Sequence, residues 1–322
     1  MYESYFGLKE NPFNLTPDTR YLFLSSQHRE AMNHLMYGIT ERKGFIVISG
    51  GIGTGKTTIC RTLLSLLDDS VRVALIFNSF ISDIELLRTI REEFGITFSR
   101  GRKTKKHHID ALNAFLLKNF AAGRNAVLVI DEAQNLSLSV LEQIRMLSNL
   151  ETEKEKLLQI VLVGQPELRD ILRSPSLRQL NERITVRYEI ETLSRRQVRQ
   201  YIQHRIAVAE GNNGTLRFTP MASFWVHGCS RGNPRRINAI CDRALLIAYA
   251  RGIKKVHAGI VRKAVSDIGG GYGGFFTLGQ SARGQRHVAA GMIAVAALLA
   301  LIGAFFYDSV TKTIMSITAL LM

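Results

Sequence analysis

The sequence predicts an α/β protein with a parallel-sheet core, a C-terminal helical domain and one further apolar helix near the end of the chain. Short apolar runs alternate with helical patterns over residues 44–192, which is typical of βαβ units and a parallel sheet. Residues 194–267 show helical periodicity alone. Residues 288–307 form an apolar run without a charged side chain. These three observations fix the order of the predicted domains.

Length and composition favour a globular body with an excess of positive charge. A chain of 322 residues is long enough for two domains and a sizeable core. The three cysteines lack the spacing of a zinc site, and their odd number argues against a disulfide framework. The formal net charge of +15 is compatible with nucleic acid, an anionic membrane surface or a nucleotide. Charge alone therefore does not choose a partner.

Residues 1–43 are predicted to form an N-terminal arm and a helix. The serine pair at residues 25–26 is a candidate N-cap for a helix that runs through Gly38. The arm carries aromatic residues within 5–8 and 11–13. They either lie on the adenine side of a nucleotide site or simply pack the arm on the body.

The strongest motif is a glycine-rich loop between the first predicted strand and the helix that follows it. Residues 50–57 have the pattern G-x-x-x-x-G-K-T, in which backbone N–H groups bind nucleotide phosphates. Lys56 is expected to reach the β- and γ-phosphates, and the Thr57 hydroxyl to bind Mg²⁺. The residues predicted to bind the nucleotide are Gly50, Gly51, Ile52, Gly53, Thr54, Gly55, Lys56, Thr57 and Thr58.

The next predicted elements are a strand at 72–77, a helix at 83–94 and a helix at 109–120. A basic stretch, residues 99–108, precedes the second helix. It lacks apolar periodicity and is predicted to be a surface loop. The stretch is either solvated or in contact with an anionic partner such as nucleic acid or lipid headgroups.

Two carboxylates follow the next apolar run. Residues 126–130 are predicted to form a buried parallel strand, and Asp131 and Glu132 come directly after it. Because ligands of open α/β sheets bind at the C-terminal ends of the strands, both carboxylates are expected beside the phosphate loop. Asp131 is predicted to hold the Mg²⁺ shell, directly or through water. Glu132 is predicted to orient or deprotonate the attacking water, as a catalytic residue.

Three more polar side chains are candidates for roles around the terminal phosphate. Gln165 follows the strand predicted at 159–163, and is either a sensor of the γ-phosphate or attacking water, or a turn residue. Arg183 precedes the last predicted strand. In ring-forming NTPases an arginine at this place reaches the site of the neighbouring subunit as a trans finger. Arg178 is the second candidate for that role, and a solvated arginine is the alternative for both.

The helical domain, predicted at residues 193–268, would act as a lid over the nucleotide. Ser194 is predicted to cap its first helix. Arg235 begins a later helix, and its side chain is a candidate for a contact with the γ-phosphate that couples the lid angle to hydrolysis. Arg236 is the second candidate for this contact.

The remaining segments predict a membrane anchor. Residues 269–287 are predicted to be a glycine-rich, basic linker. The apolar run at 288–307 is long enough to span a bilayer as a transmembrane helix, and 308–322 would be a short tail. The excess of arginine before the run predicts a single-pass protein of the inner membrane with its main body in the cytoplasm.

Several motifs together resemble one family. They are Tyr5-Phe6-Gly7-Leu8 with Asn11-Pro12-Phe13, the glycine loop through Thr58, Asp131-Glu132-Ala133-Gln134-Asn135-Leu136, Gly164-Gln165-Pro166-Glu167-Leu168, Asn181-Glu182-Arg183-Ile184, and Gly232-Asn233-Pro234-Arg235-Arg236-Ile237-Asn238. The set resembles the ExeA (general secretion pathway protein A) group of AAA-type P-loop NTPases, which includes pilus-biogenesis and exopolysaccharide-locus ATPases. Over residues 1–267 the resemblance implies strand order 5-1-4-3-2, ATP as the nucleotide and ring-like self-assembly. It also implies the lid-sensor role of Arg235 and supports Arg183 as the trans finger.

The function expected from these features is a membrane-anchored ATPase. It would couple ATP binding and hydrolysis to the assembly or regulation of a bacterial envelope machine for secretion, pilus formation or exopolysaccharide export. The expected partners are further copies of the chain, in a ring or filament, and envelope assembly proteins of the inner membrane. The alternative is a DNA-binding ATPase of the transposition or replication-loader type, which the positive charge favours. A third reading is a nucleotide-dependent scaffold with negligible turnover.

Overall fold

The computed structural model describes residues 1–16, 18–77, 79–97, 104–153, 155–210 and 216–271. Its elements, in chain order, are α1 (Glu3–Phe6), a 3-10 helix (Thr19–Tyr21), α2 (Ser26–Thr40), β1 (Phe45–Gly50), α3 (Lys56–Leu66), β2 (Val71–Ile76), α4 (Asp83–Glu93), α5 (Lys105–Ala121), β3 (Asn125–Ile130), a 3-10 helix (Ala133–Asn135), α6 (Leu138–Leu147), β4 (Gln159–Gly164), α7 (Glu167–Leu172), a 3-10 helix (Pro175–Leu177), α8 (Arg178–Glu182), β5 (Ile184–Ile190), α9 (Arg195–Ala209), β6 (Arg217–Phe218), α10 (Pro220–Ser230), α11 (Pro234–Ala250), β7 (Lys255–Val256) and α12 (Ala258–Gly271).

A five-stranded sheet forms the middle layer of the core, in the order β2-β3-β4-β1-β5. Every pairing is parallel, so the α/β prediction and the strand order are confirmed. Alternate residues of the strands point to opposite faces. One face packs on α4 to α8 and the other on α2 and α3. Strands buried on both faces are continuously apolar, which is why the sequence shows them as apolar runs.

Helices α9 to α11 and the start of α12 form the lid, which we define as residues 193–266. It is not all helical, because β6 and β7 pair in parallel. The N-terminal arm packs on the lid: the Lys9 N–H donates to the Ala209 carbonyl at 2.8 Å, and the rings of Phe13 and Phe218 meet edge to face at 6.0 Å. The alternative that placed the aromatic residues of 5–8 and 11–13 beside adenine is therefore not supported.

In the described part of the basic stretch at 99–108, residues 105–108 are helical, so the loop prediction is wrong there. Helix α5 begins at Lys105, because the Thr104 side chain caps it by accepting a hydrogen bond from the His107 N–H. The Lys105 ammonium pairs with Asp83 at 2.8 Å. Residues 98–103 lie outside the described residues. The N-cap at Thr104 explains why a helix begins in this polar stretch, although the stretch has no apolar periodicity.

No helix in the described parts of the chain is long and apolar enough to cross a membrane. Among the described residues the longest helices are α5 and α11, with 17 residues, about 26 Å at 1.5 Å per residue. The hydrocarbon core of a bilayer is about 30 Å thick. The prediction of a fold with a transmembrane helix and of a single-pass inner-membrane location is wrong on this finding. It rested on hydropathy alone, which does not establish a helix. Residues 288–307 and the tail lie outside the described residues, and α12 includes the first residues of the predicted linker.

Candidate functional site

The glycine loop between β1 and α3 is packed closely on both sides. Gly53 and Gly55 have φ angles of +75° and +97°, in the left-handed region that favours glycine. A Cβ atom on Gly50 would lie 2.9 Å from the Ile190 carbonyl oxygen in β5. A Cβ atom on Gly53 would lie 2.7 Å from Cβ of Arg235 in the lid. The loop therefore has no room for side chains where it meets the sheet and the lid.

Lys56 is buried at the start of α3. Its Nζ donates to the carbonyl oxygens of Gly50 at 2.8 Å and Gly51 at 3.1 Å. Burial lowers the pKa of this ammonium, and the negative charges of Glu132 and Asp131 oppose the shift. A cation held in this way by the loop is placed to bind phosphate oxygens.

The predicted metal ligands are in direct contact. Thr57 Oγ1 donates to Asp131 Oδ2 at 2.6 Å, and Asp131 Oδ1 accepts from the Glu132 N–H at 2.9 Å. Because the hydroxyl proton is directed at Asp131, the lone pairs of Thr57 Oγ1 are left for a cation. A hydroxyl and a carboxylate are ligands that Mg²⁺ accepts, with phosphate and water completing its shell. These residues fit the predicted Mg²⁺.

Glu132 is held by two glutamine side chains. Its φ of +50° is left-handed, and its Oε2 accepts from Gln134 Nε2 at 2.6 Å and Gln165 Nε2 at 3.3 Å. Gln134 Oε1 in turn accepts from the Gln165 N–H at 2.9 Å. Burial raises the pKa of Glu132, but these two hydrogen bonds and the charge of Lys56 outweigh it and lower the pKa overall. The structure thus brings Gln165 to Glu132, and adds Gln134, to which the sequence assigned no role.

A cavity of about 410 Å³ opens in front of the loop, a volume in the range of small-molecule sites. Its wall comes from the arm, the core and the lid. The residues that line it include Asn14, Tyr21, Phe23, His28, residues 52–58, Glu132, Tyr201, Arg205, Arg235 and Asn238. Arg235 therefore faces the same cavity as the loop and Glu132, as its predicted role requires, whereas Arg236 is not part of the wall.

The lid contacts the loop through Asn233. Its Oδ1 accepts from the Arg236 N–H at 3.2 Å and so caps α11, while its Nδ2 donates to the Ile52 carbonyl at 2.5 Å. The preceding Gly232 has φ +73°, and its carbonyl accepts from the Leu193 N–H at 2.9 Å. One side chain thus joins the start of a lid helix to the phosphate loop, a contact that the sequence did not reveal.

His28 supports the loop from the side of α2. Its Nε2 lies 3.0 Å from the Thr54 carbonyl oxygen and its Nδ1 lies 2.8 Å from Ser25 Oγ. Burial lowers the pKa of the imidazole, so the neutral ring donates from Nε2 to Thr54 and accepts at Nδ1 from Ser25. The sequence carried a signal for the Ser25 contact alone, since a histidine three residues after a capping serine stands where a capping box places its second polar side chain.

The arginines predicted as trans fingers lie away from the cavity. Arg183 precedes β5, at the edge of the sheet opposite the glycine loop. Its Nη1 donates to acceptors at the end of α6, the nearest being Ser148 Oγ and Asn149 Oδ1 at 2.6 Å. Arg178 is exposed and pairs with Glu182 at 2.9 Å. A role for either arginine in a neighbouring copy stays a prediction.

Comparison with known proteins finds one similar sequence family and one similar curated protein. Residues 39–172 match the family described as AAA domain. Over 272 residues the chain is 44% identical to General secretion pathway protein A of Aeromonas hydrophila; the match covers 84% of this chain and 49% of that protein. The chain thus spans about half the length of this curated relative.

Two solved structures share the fold at low identity. The Cdc6p structure of Pyrobaculum aerophilum has a TM-score of 0.61 and 18% identity, over 79% of this chain and 71% of that one. The ORC2 protein of Aeropyrum pernix has a TM-score of 0.60 and 17% identity, over 80% and 72%. The chain is therefore similar in sequence to the AAA-domain family over residues 39–172 and to General secretion pathway protein A over most of its own length.

Proposed function

We propose that the chain is an ATP hydrolase that depends on Mg²⁺. The observation that carries this proposal is the 2.6 Å contact between Thr57 and Asp131. It puts two side chains that can bind a metal directly beside Glu132. Thr57, Glu132 and Lys56 all line the cavity. A protein that only bound nucleotide would not need a carboxylate held at that position by two glutamine side chains.

Each residue of the site has a defined part in this reaction. The loop amides and Lys56 bind the phosphates, and Glu132 orients the attacking water and accepts its proton. Gln165 keeps the Glu132 carboxylate in place. Thr57 and Asp131 would hold Mg²⁺, and the bound ion would neutralise charge on the phosphates. Arg235, on the lid side of the cavity, adds positive charge beside the terminal phosphate.

The similarity to General secretion pathway protein A suggests what the hydrolysis serves. We propose that it drives or regulates assembly of a secretion machine, with copies of the chain assembled in a ring or filament. In such an assembly Arg183 would act on the nucleotide of the neighbouring copy. Because the lid contacts the glycine loop, ATP binding and lid position would change together.

The test compares three substitutions in the full chain. Lys56→Ala is expected to lose nucleotide binding. Glu132→Gln should still bind ATP but hydrolyse it about 10²- to 10⁴-fold more slowly, the usual effect of removing a general base. Glu41→Gln, which alters an exposed carboxylate of the core, should behave as wild type. Phosphate release measures turnover, and normal turnover in Glu132→Gln would refute the role of this carboxylate.

A DNA-dependent ATPase is the second candidate, and the charge of the lid favours it. Residues 193–266 contain fourteen arginines and lysines but two carboxylates, and such a surface attracts nucleic acid. This candidate predicts ATPase stimulation by DNA at physiological salt. Stimulation should be lost when Lys105 and Lys106 are neutralised, if the basic stretch contacts the DNA. Absence of any stimulation would exclude it.

A further inference from the structure

The positive charge of the chain is concentrated in the lid. Residues 193–266 have a net charge of +12, against +15 for the whole chain. The two lid carboxylates already have partners: Glu210 accepts from Arg217 at 2.9 Å, and Asp242 accepts from Tyr2 and Asn11. The lid therefore presents cations that its own carboxylates do not neutralise.

Helix α10 exposes an apolar strip on the surface of the positively charged lid. Met221, Phe224 and Trp225 are 57%, 41% and 38% exposed. At Gly228 a Cβ atom would meet nothing within 4 Å. These positions follow the spacing i, i+3, i+4, i+7, so they share one face of the helix. The opposite side of α10 is buried in the lid. We call the four residues the α10 face.

Two arginines flank the α10 face. The Arg195 guanidinium, from the first turn of α9, lies 4.3 Å from the ring centroid of Phe224. The Arg262 guanidinium, from α12, lies 5.8 Å from the ring centroid of Trp225. In the residues that the structure describes, neither has a carboxylate within salt-bridge distance. The face is thus an apolar strip between two cations.

We propose that the α10 face is the docking surface for an acidic amphipathic helix of a partner protein. The apolar side of such a helix would cover Met221, Phe224 and Trp225, and its carboxylates would meet Arg195 and Arg262. The absence of a side chain at Gly228 lets the two backbones approach. A nucleic acid strand fits less well, because each aromatic ring already has a guanidinium on one side and the strip follows helical spacing.

The α10 face is close in sequence to the nucleotide site. Helix α10 ends at Ser230, and only Arg231 and Gly232 separate it from Asn233, which contacts Ile52 of the glycine loop. Both intervening residues have left-handed φ angles, +53° and +73°, so the connection is a tight turn. A partner bound to α10 would therefore act on the loop. This coupling rests on the proposed ATPase function, whereas the docking itself does not.

The single tryptophan of the chain lies in the proposed surface, so its fluorescence reports docking directly. The probe is a synthetic helix of about 18 residues with leucine on one face and glutamate elsewhere; its counterpart carries lysine for glutamate. We expect the glutamate peptide to shift Trp225 emission in the full chain without nucleotide. The lysine peptide should not.

Charge reversal gives the sharper test. In the double variant Arg195→Glu/Arg262→Glu, affinity for the glutamate peptide should fall about tenfold or more, and the lysine peptide should begin to bind. The matched control is Arg72→Glu/Lys118→Glu, which reverses two exposed cations of the core and should leave both affinities near wild type. Circular dichroism establishes that each variant is folded.

Four results would overturn the proposal. The first is no binding of the glutamate peptide, and the second is an equal loss of peptide affinity in the control variant. The third is an oligo-dT strand that binds more tightly than the peptide. The fourth is a shift of Trp225 emission that follows protein concentration without peptide and disappears in Phe224→Ser. The third would assign the face to nucleic acid and the fourth to a second copy of the chain. ATP hydrolysis is measured on the same samples. Absence of turnover would refute the proposed ATPase function but not the docking proposal, since a protein without turnover can still bind the peptide.

Discussion

Asn233 performs two tasks that one substitution can separate. Its Oδ1 caps α11 and its Nδ2 donates to the Ile52 carbonyl. Asn233→Asp keeps an oxygen for the cap, since Asp and Asn are equally good N-caps, but removes the donor and places a carboxylate beside a carbonyl. A hydrogen bond of this kind is worth about 1 kcal/mol net. We therefore expect the free energy of unfolding to fall by about 1 kcal/mol and the affinity for ATP to fall by up to about fivefold.

Two measurements test this prediction, a titration with a fluorescent ATP analogue and urea unfolding. The control is Ser194→Ala, which removes the N-cap of α9 without touching the loop. It should cost about 1 kcal/mol of stability and leave ATP affinity unchanged. If Asn233→Asp matches wild type in both measurements, the contact does not support the loop. If Ser194→Ala weakens ATP binding equally, the effect belongs to lid stability in general.

Three further predictions concern the site and its supports. Gln134→Ala removes the nearer donor to Glu132 and should raise its pKa, so that the acid limb of the ATPase pH profile moves to higher pH; an unmoved limb contradicts this. Gly232→Ala should destabilise the protein in thermal melts by roughly 2–3 kcal/mol more than Gly252→Ala. Both glycines have left-handed φ angles, but only at Gly232 would the added Cβ lie 2.0 Å from a backbone atom, the Leu193 carbonyl oxygen. Equal losses of stability would exclude the steric cause. His28 has a lowered pKa in the folded state. Its contribution to stability is therefore complete above about pH 6.5 and is lost as pH falls towards the lowered pKa. In urea unfolding, the stability of His28→Gln should depend less on pH below about pH 6.5 than that of wild type, and an equal pH dependence would refute the prediction.

The sequence predicted those parts of the molecule that depend on neighbours in the chain. Buried strands read as apolar runs, and the residues from Gly50 to Thr57 form one uninterrupted motif. The pairing of Thr57 with Asp131 followed from the rule that parallel strands end at one edge of the sheet. Contacts between distant segments were not predictable in this way. His28 meets Thr54, and Asn233 meets Ile52 across 181 positions, and nothing in the local patterns identifies such partners.

The errors and the open alternatives have different physical causes. Apolar composition at residues 288–307 predicted a membrane span, although hydropathy does not determine secondary structure. For the aromatic residues of the arm, the sequence left two alternatives open, and packing on the body is the one that the structure supports. The local pattern did not choose between them because Phe13 contacts Phe218, a residue of the lid that lies far along the chain. Apolar periodicity also did not predict that α5 begins after Thr104, within a charged stretch, because a helix N-cap depends on only one side chain.

The packing of the N-terminal arm on the lid changes how the nucleotide cavity can open. The chain passes between lid and core twice, once between Tyr21 and α2 and once at residues 191–194 before α9. The Gln197 amide joins these crossings, donating to Ser26 Oγ at 3.1 Å and to Gln27 Oε1 at 3.2 Å. Because one side chain contacts both crossings, the two connections lie side by side, and a lid movement that separates α9 from α2 has to break both hydrogen bonds. The arm packs on the lid and would move with it, so the two walls that arm and lid give the cavity would leave the glycine loop together.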